Sequence, residues 1–352
     1  MDKMSKWIVK YRNLILAVAI ILLIPSAIGY FNTNINYDLL SYLPSTSESM
    51  KTQKILGDDF NLSSVDFLVV NNKSDQEAAK IKEEINKIDG VEKCIWRDDV
   101  LDISVPKQAI PESIQDMLYS GNSTMMIVTF KEPTSMRTMN AISKIKKYTK
   151  DDCYLGGMSA ISEDTKDQTE HDTPIYAGIA VVLCMVVLFL GLESTIAPVV
   201  FMLGMIFPIV YNFGTNVFLG EISYITKALA VVLQLAVTLD YSIFLLHRYQ
   251  EEKQKLPNEE AMAKAIKATF TSITSSSITT IAGFVALCVM QLTLGRDIGI
   301  VMAKGVVLGV LSTIFILPSL LMFFDKTIEK YKHKTILNEL HRVPRFVIHH
   351  YK

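Results

Sequence analysis

Six stretches of this chain are each long and apolar enough to cross a hydrocarbon layer, and they limit its fold more than any other feature. A helix needs about 20 predominantly apolar residues to span roughly 30 Å of hydrocarbon. The stretches are residues 7–30, 174–192, 195–213, 222–246, 269–292 and 298–324. The first reads as a retained span. Its apolar run is at the long limit for a signal peptide, and Tyr30, Phe31 and Asn32 stand where small residues would mark a cleavage site. Hydrophobic residues make up 50% of the chain and charged residues 20%, which excludes a disordered polymer.

The net charge of -1 conceals a segregation. Residues 31–172 hold 16 Lys+Arg against 24 Asp+Glu, a balance of -8, and the remainder carries +7. The basic residues cluster at Lys3, Lys6, Lys10 and Arg12, between the fourth and fifth stretches at Arg248, Lys253, Lys255, Lys264 and Lys267, and in the tail at Lys326, Lys330, Lys332, Lys334, Arg342 and Arg345. The stretch between residues 246 and 269 reads as a polar excursion. The positive-inside rule places all three clusters in the cytoplasm. The expectation is a multi-pass protein of the cell membrane with its N-terminus inside. It divides into a first span at 1–30, an extracytoplasmic domain at 31–172, five spans at 173–325 and a basic tail at 326–352.

Within the acidic segment, strand and helix signals alternate. A β-rich run at 65–70 precedes Ser74-Asp75-Gln76-Glu77, a capping box in which the Ser side chain takes the N3 amide and the Glu reaches back. Ala78, Ile81, Ile85 and Ile88 then recur at helical spacing, Gly90 stops the helix, and 91–97 reads as a strand. A second round runs through a short helix at 111–118, a strand at 125–130, a helix carrying Met136, Met139, Ile142 and Ile145, and a strand at 153–155. The pattern predicts an α+β domain of split βαβ, ferredoxin-like type. Cys94 and Cys153 either pair in an oxidising compartment or remain buried thiols. His171 is the segment's one histidine, so no His-based metal site is expected there.

Ionisable groups inside hydrocarbon are costly and point to function. Asp240-Tyr241 sits a little inward of the middle of the fourth stretch, with no basic residue within one turn on its own helix. Desolvation disfavours a charged carboxylate in such a place, which suits a group that takes up and releases protons. At 100° per residue Gln234, Thr238 and Lys227 extend a polar stripe on the Tyr241 side. The fifth stretch adds hydroxyls from Thr271 to Thr280, of which Ser276 and Thr279 are candidates to support a relay. In the sixth, Gly305 and Gly309 form a GxxxG packing face, and snorkelling or pairing with Asp297 accounts for Lys304 as well as a functional role does. No Walker motif, GxSxG, HExxH or CxxC is present, so neither ATP nor hydrolase, zinc-protease or thioredoxin-like chemistry is indicated.

Four motifs follow one another along the chain: Asn36-Tyr-Asp-Leu-Leu-Ser-Tyr-Leu-Pro44, Thr238-Leu-Asp-Tyr-Ser-Ile-Phe-Leu-Leu246, Ser275-Ser-Ser-Ile-Thr-Thr-Ile-Ala-Gly-Phe284 and Leu311-Ser-Thr-Ile-Phe-Ile-Leu-Pro-Ser-Leu320. In this order, on a layout of one span, a large domain and five spans, they resemble the N-terminal half of an RND-superfamily transporter of the MMPL type. The resemblance implies a secondary active transporter, not an enzyme, that exports lipids or other hydrophobic molecules at the expense of the proton gradient. It assigns the relay to Asp240 and Tyr241, with protons as coupling ion and no other cofactor. It also implies a partner, either a second repeat or a second copy of the chain, and no nucleic acid. Pro344-Arg-Phe-Val-Ile-His-His-Tyr-Lys352 is similar in pattern to Ser5-Lys-Trp-Ile-Val-Lys-Tyr-Arg-Asn13, as if a second repeat began there. A natural half-transporter that dimerises is the other reading of the length. Competing functions are a sterol-sensing-like lipid sensor or scaffold without transport, and a proton-driven accessory of protein export.

Overall fold

The computed structural model describes residues 2–60, 64–106 and 109–333. The suspected start of a second repeat at 344–352, and the tail from residue 334, lie outside the described residues. The chain divides into two compact units. One comprises the residues up to Asn36, Asp172–Met290 and the residues from Leu294 on; the other comprises Tyr37–His171 with Gln291–Thr293.

Six helices are long and apolar enough to cross a membrane, and are numbered here as spans 1 to 6: Arg12–Phe31, Met158–Gly191, Ala197–Leu219, Tyr224–Lys253, Asn258–Leu287 and Thr293–Phe323. Spans 3 and 6 are the most enclosed, at 61% buried each, against 17%, 6% and 11% for spans 1, 2 and 5. Span 4 is intermediate at 44%. Span 6 widens into a π-helical turn at Ser312–Ile316 just before Pro318. A proline carries no N–H, and a local change in hydrogen-bond register absorbs the loss. Ahead of span 1, an amphipathic helix at Asp2–Lys10 buries Ser5, Ile8 and Val9, and its apolar residues share a core with Ala261, Met262, Ala265 and Ile266 of span 5.

Helix ends differ from the sequence expectation at two places. The polar excursion between spans 4 and 5 shrinks to residues 254–257, because both helices run on through it. Its Lys, Arg and Glu are good helix formers, and Arg248 pairs with Glu251 and Glu252 three and four residues on. Span 2 likewise continues a helix that starts at Met158, sixteen residues before Pro174. Hydropathy reports where apolar residues stop, not where the helix does.

The second unit holds a five-stranded antiparallel sheet, in which the two-residue strand Tyr119–Ser120 pairs beside a path of four longer strands. Its elements are β1 (Val65–Asn71), α1 (Asp75–Asn86), β2 (Val91–Ile95), β3 (Ser123–Phe130), α2 (Met136–Thr149) and β4 (Cys153–Gly157), with strand order β2-β3-β1-β4. The two βα pairs are thus interleaved. Leu68 and Val70 of β1 and Met126, Val128 and Phe130 of β3 alternate inward against Ile85 of α1 and Ile142 and Ile145 of α2. The Ser74 and Glu77 side chains form the expected capping box at α1. Cys94 and Cys153 are both buried free thiols, and burial pushes the Cys94 thiol up to about 12. Asp66 occupies an inward position of β1 and is fully buried. Its carboxylate accepts the amides of Ser159 (3.2 Å) and Ala160 (2.9 Å) at the first turn of the Met158–Gly191 helix, and burial pushes it up despite those two donors. A helix at Glu48–Asp58, capped by Ser47, lies in a segment whose polar, aromatic composition announced no element.

Candidate functional site

Asp240 is the seventeenth of thirty residues in span 4 and is exposed. It makes no hydrogen bond or ion pair with any described residue. It opens onto a cavity of about 400 Å³ between spans 4 and 5, lined by Val237, Asp240, Tyr241 and Phe244 on one side and Ser272, Ile273, Ser276 and Thr280 on the other. Tyr241 is buried, packed with Ile273 of span 5 and Val306 of span 6. Both residues thus line the cavity, Asp240 exposed in it and Tyr241 buried against spans 5 and 6. Thr280 donates to the Ser276 carbonyl at 3.2 Å and Thr279 to that of Ser275 at 3.3 Å, so these hydroxyls are anchored on their own helix. Ser276 lines the cavity and Thr279 does not.

Gln234 and Thr238 lie elsewhere. Thr238 is two residues from Asp240, about 160° round the helix, and therefore on nearly the opposite face. Both are buried in a seam between spans 4 and 6. The Thr226 hydroxyl donates to Asp297 at 2.5 Å, Gln234 Nε2 donates to the Gly305 carbonyl at 3.4 Å, and Ser242 and Thr313 share a 3.4 Å hydrogen bond. Partners in each pair are 71 residues apart, so the two parallel helices keep one register along most of their length. Thr238 meets Gly309 at the rung between, where a Cβ would stand 2.7 Å from Thr238 Oγ1. A Cβ at Gly305 would stand 2.7 Å from Asn212 Nδ2. A side chain at either glycine would force a shift, of Thr238 at Gly309 and of Asn212 and Gln234 at Gly305, so the two glycines let these side chains lie against the span 6 backbone.

Span 3 completes the seam with Asn212 and Asn216, both fully buried, which the sequence reading did not single out. Asn212 Nδ2 donates to Gln234 Oε1 at 2.8 Å. Two asparagines four residues apart at the end of an apolar stretch were the available signal. Lys304 neither snorkels nor pairs with Asp297. Its ammonium donates to the Asn212 carbonyl at 3.0 Å and to Asn216 Oδ1 at 2.5 Å, while Asp297 is held by the Ser223 amide and Thr226. At the far end of span 4, Asp325 accepts from Tyr249 (3.0 Å), Lys253 (2.6 Å) and Asn258 (2.6 Å), tying spans 4, 5 and 6 together.

A family model described as the MMPL family matches residues 41–347. Among similar chains, a protein named as a membrane protein of Methanocaldococcus jannaschii is 25% identical over 172 residues, covering 49% of this chain and 44% of that one. The siderophore exporter MmpL5 of Mycobacterium tuberculosis is 23% identical over 224 residues, covering 58% of this chain and 23% of that one. Of solved structures, SecDF from Thermus thermophilus, a translocon-associated membrane protein, matches with a TM-score of 0.50 at 14% identity, over 90% of this chain and 38% of that one. That likeness is one of fold. The match spans less than half the length of each of these proteins. With the family model covering most of its length and six helices apolar enough to cross a bilayer, this chain is a multi-pass membrane protein and belongs to the MMPL family.

Proposed function

We propose that this chain is one half of a proton-driven exporter of lipids or other hydrophobic molecules in the cell membrane. In this reading the N-terminus is inside, and the β1–β4 unit is the extracytoplasmic, ferredoxin-like porter domain. The observation that carries it is Asp240, a partnerless carboxylate midway along a span, open to a hydroxyl-lined cavity beside a buried tyrosine. A carboxylate placed inside a membrane span without a counter-ion points to function, and the hydroxyl-lined cavity gives it a polar surface along which a proton can pass. Tyr241 offers the adjoining hydroxyl, Ser276 the cavity wall, and the open face of spans 4 and 5 is where a second half or second copy docks. Gln234, Thr238 and Thr279 support the helix packing around the pair. Export is the named activity of two relatives, the siderophore exporter and an apo-petrobactin exporter of Bacillus anthracis.

The test is Asp240→Asn in the complete protein, which keeps the shape and removes the titration. Proton-dependent export should fall to background with the amount of folded protein unchanged, and undiminished export by the variant would sink the reading. A second reading, a proton-driven accessory of protein export, is suggested by the likeness of fold to a translocon-associated protein. Deletion of the gene separates the two: accumulation of a lipid inside the cell supports export of hydrophobic cargo, and a secretion defect supports the accessory.

A further inference from the structure

The relay proposed at Asp240 does not use Lys304, an ionisable group within span 6. Lys304 stands eleven residues into the helix that begins at Thr293, about 16 Å along its axis. Every acceptor it reaches is neutral: the Asn212 carbonyl and Asn216 Oδ1. An ammonium carries three donors and a neutral amine two. The two acceptors found match the amine, and the third hydrogen has no acceptor among the described residues. Beside it, Asn212 Oδ1 and Asn216 Nδ2 are buried without a hydrogen-bond partner, although both residues are fully enclosed. One orphan acceptor and one orphan donor next to an amine are a fitting shell for a water molecule.

The charged and titratable groups around this place are few. Asp297 lies two turns away on the same helix, engaged by Ser223 and Thr226. Span 4 brings Glu221 just before its start and Asp240 and Tyr241 further along. Span 3 brings Tyr211, whose hydroxyl donates to the Ala19 carbonyl, and span 1 brings Tyr30, set edge-to-face against Phe213. None of these pairs with Lys304 as a counter-ion.

We propose that Lys304 is a second proton-carrying group of this half, exchanging a proton between its Nζ and a water held by Asn212 and Asn216. On release an N–H bond of the ammonium breaks, the electron pair stays on Nζ, and the proton passes to the water. The amine left behind keeps both hydrogen bonds. On uptake the same steps run backwards. The proposal rests on the proton-driven reading above and adds to it a site on the other side of span 4 from Asp240.

The experiment measures proton flux into liposomes containing the purified complete protein, with an entrapped pH-sensitive dye and a potassium diffusion potential as driving force. Arginine keeps the charge and the donors but does not release its proton near neutral pH. Lys304→Arg and Lys304→Met should therefore both reduce flux, on the order of tenfold or more. Asn216→Asp, which sets a carboxylate against the ammonium and holds it charged, should slow flux in the same way while raising thermal stability. It serves as the readout if the Lys304 variants do not fold. Wild-type flux with an unchanged pH profile in Lys304→Arg, or in Asn216→Asp, overturns the proposal. Asp240→Asn, run in parallel, tests the relay reading separately. Loss of flux there with normal flux in Lys304→Arg keeps the relay and removes this inference. Absence of flux in the wild type removes both.

Discussion

At the scale of single residues, the seam between spans 4 and 6 rests on two missing side chains. Gly309 leaves room for Thr238 and Gly305 for Asn212 and Gln234. Adding a methyl to a packed interior that cannot yield costs about 1–3 kcal/mol. Gly309→Ala should therefore destabilise the detergent-solubilised protein by about that free energy, read as a lower thermal unfolding temperature. Thr238→Ala in the same chain should recover more than half of the loss, since it removes the Oγ1 that the new Cβ meets. Gly283→Ala, where nothing lies within 4 Å, should be neutral or slightly stabilising. Additive losses in the Gly309–Thr238 pair would show that the two do not touch. The sequence displayed each half of this contact, a polar stripe through Gln234 and Thr238 and a GxxxG at Gly305 and Gly309. It did not display that they meet. Periodicity identifies a face of a helix and says nothing of which helix covers it.

At the scale of elements, the domain sheet was legible almost strand by strand, because its signals are local: the Ser74–Glu77 capping box, the 3.6 spacing of Ala78 to Ile88, the alternation in β1. What lay beyond local signals is the cluster joining the end of β2 to α1. Lys82 of α1 is largely buried and holds Asp98 at 2.6 Å and Asp99 at 2.5 Å, although these follow it by sixteen and seventeen residues. Burial works to raise the Asp99 carboxyl, but donors from Lys82 and the Trp96 amide outweigh it and hold it below the usual carboxylate range. Burial works to lower the Lys82 ammonium, and its two carboxylates outweigh that and hold it up. A depressed carboxylate binds fewer protons folded than unfolded. Its stabilisation is full above the ordinary carboxylate value and is lost as pH falls through the depressed one. The raised lysine acts at the other end, its stabilisation being lost as pH rises through its elevated value. Lys82→Met should cost the domain about 2 kcal/mol at neutral pH, the value of charged hydrogen bonds to partly exposed carboxylates, and flatten the acid arm of its stability curve. Trp96 fluorescence melts in a Trp7→Phe background would register both effects, since the Trp96 indole donates to Thr124 within the same core. An acid arm unchanged by the substitution would place the titration elsewhere.

At the scale of the molecule, the charge segregation carries the orientation. In the structure many basic residues near the span ends are paired: Arg12 with Glu259, Lys267 with Asp2, and Arg248 and Lys264 with Glu252. Pairing does not weaken the inference, because insertion responds to Lys and Arg near the ends of spans, and Asp and Glu contribute little. The turn at residues 254–257 should then lie in the cytoplasm and the helix Glu48–Asp58 outside. Single reporters at Gln254→Cys and Glu48→Cys, both exposed positions, test this with a membrane-impermeant maleimide on intact cells. Cys184→Ala and Cys288→Ala clear the background. Cys94 and Cys153 can stay, since both are buried and burial holds their thiols protonated at neutral pH, where the thiolate is the reactive form. The Glu48 reporter should label without permeabilisation and the Gln254 reporter only after it. The reverse pattern would invert the topology and put the β1–β4 domain in the cytoplasm. Asp240 would keep its place midway along span 4, but in the proposed relay a proton would then have to enter from the opposite side, so the direction of the proposed coupling depends on this measurement.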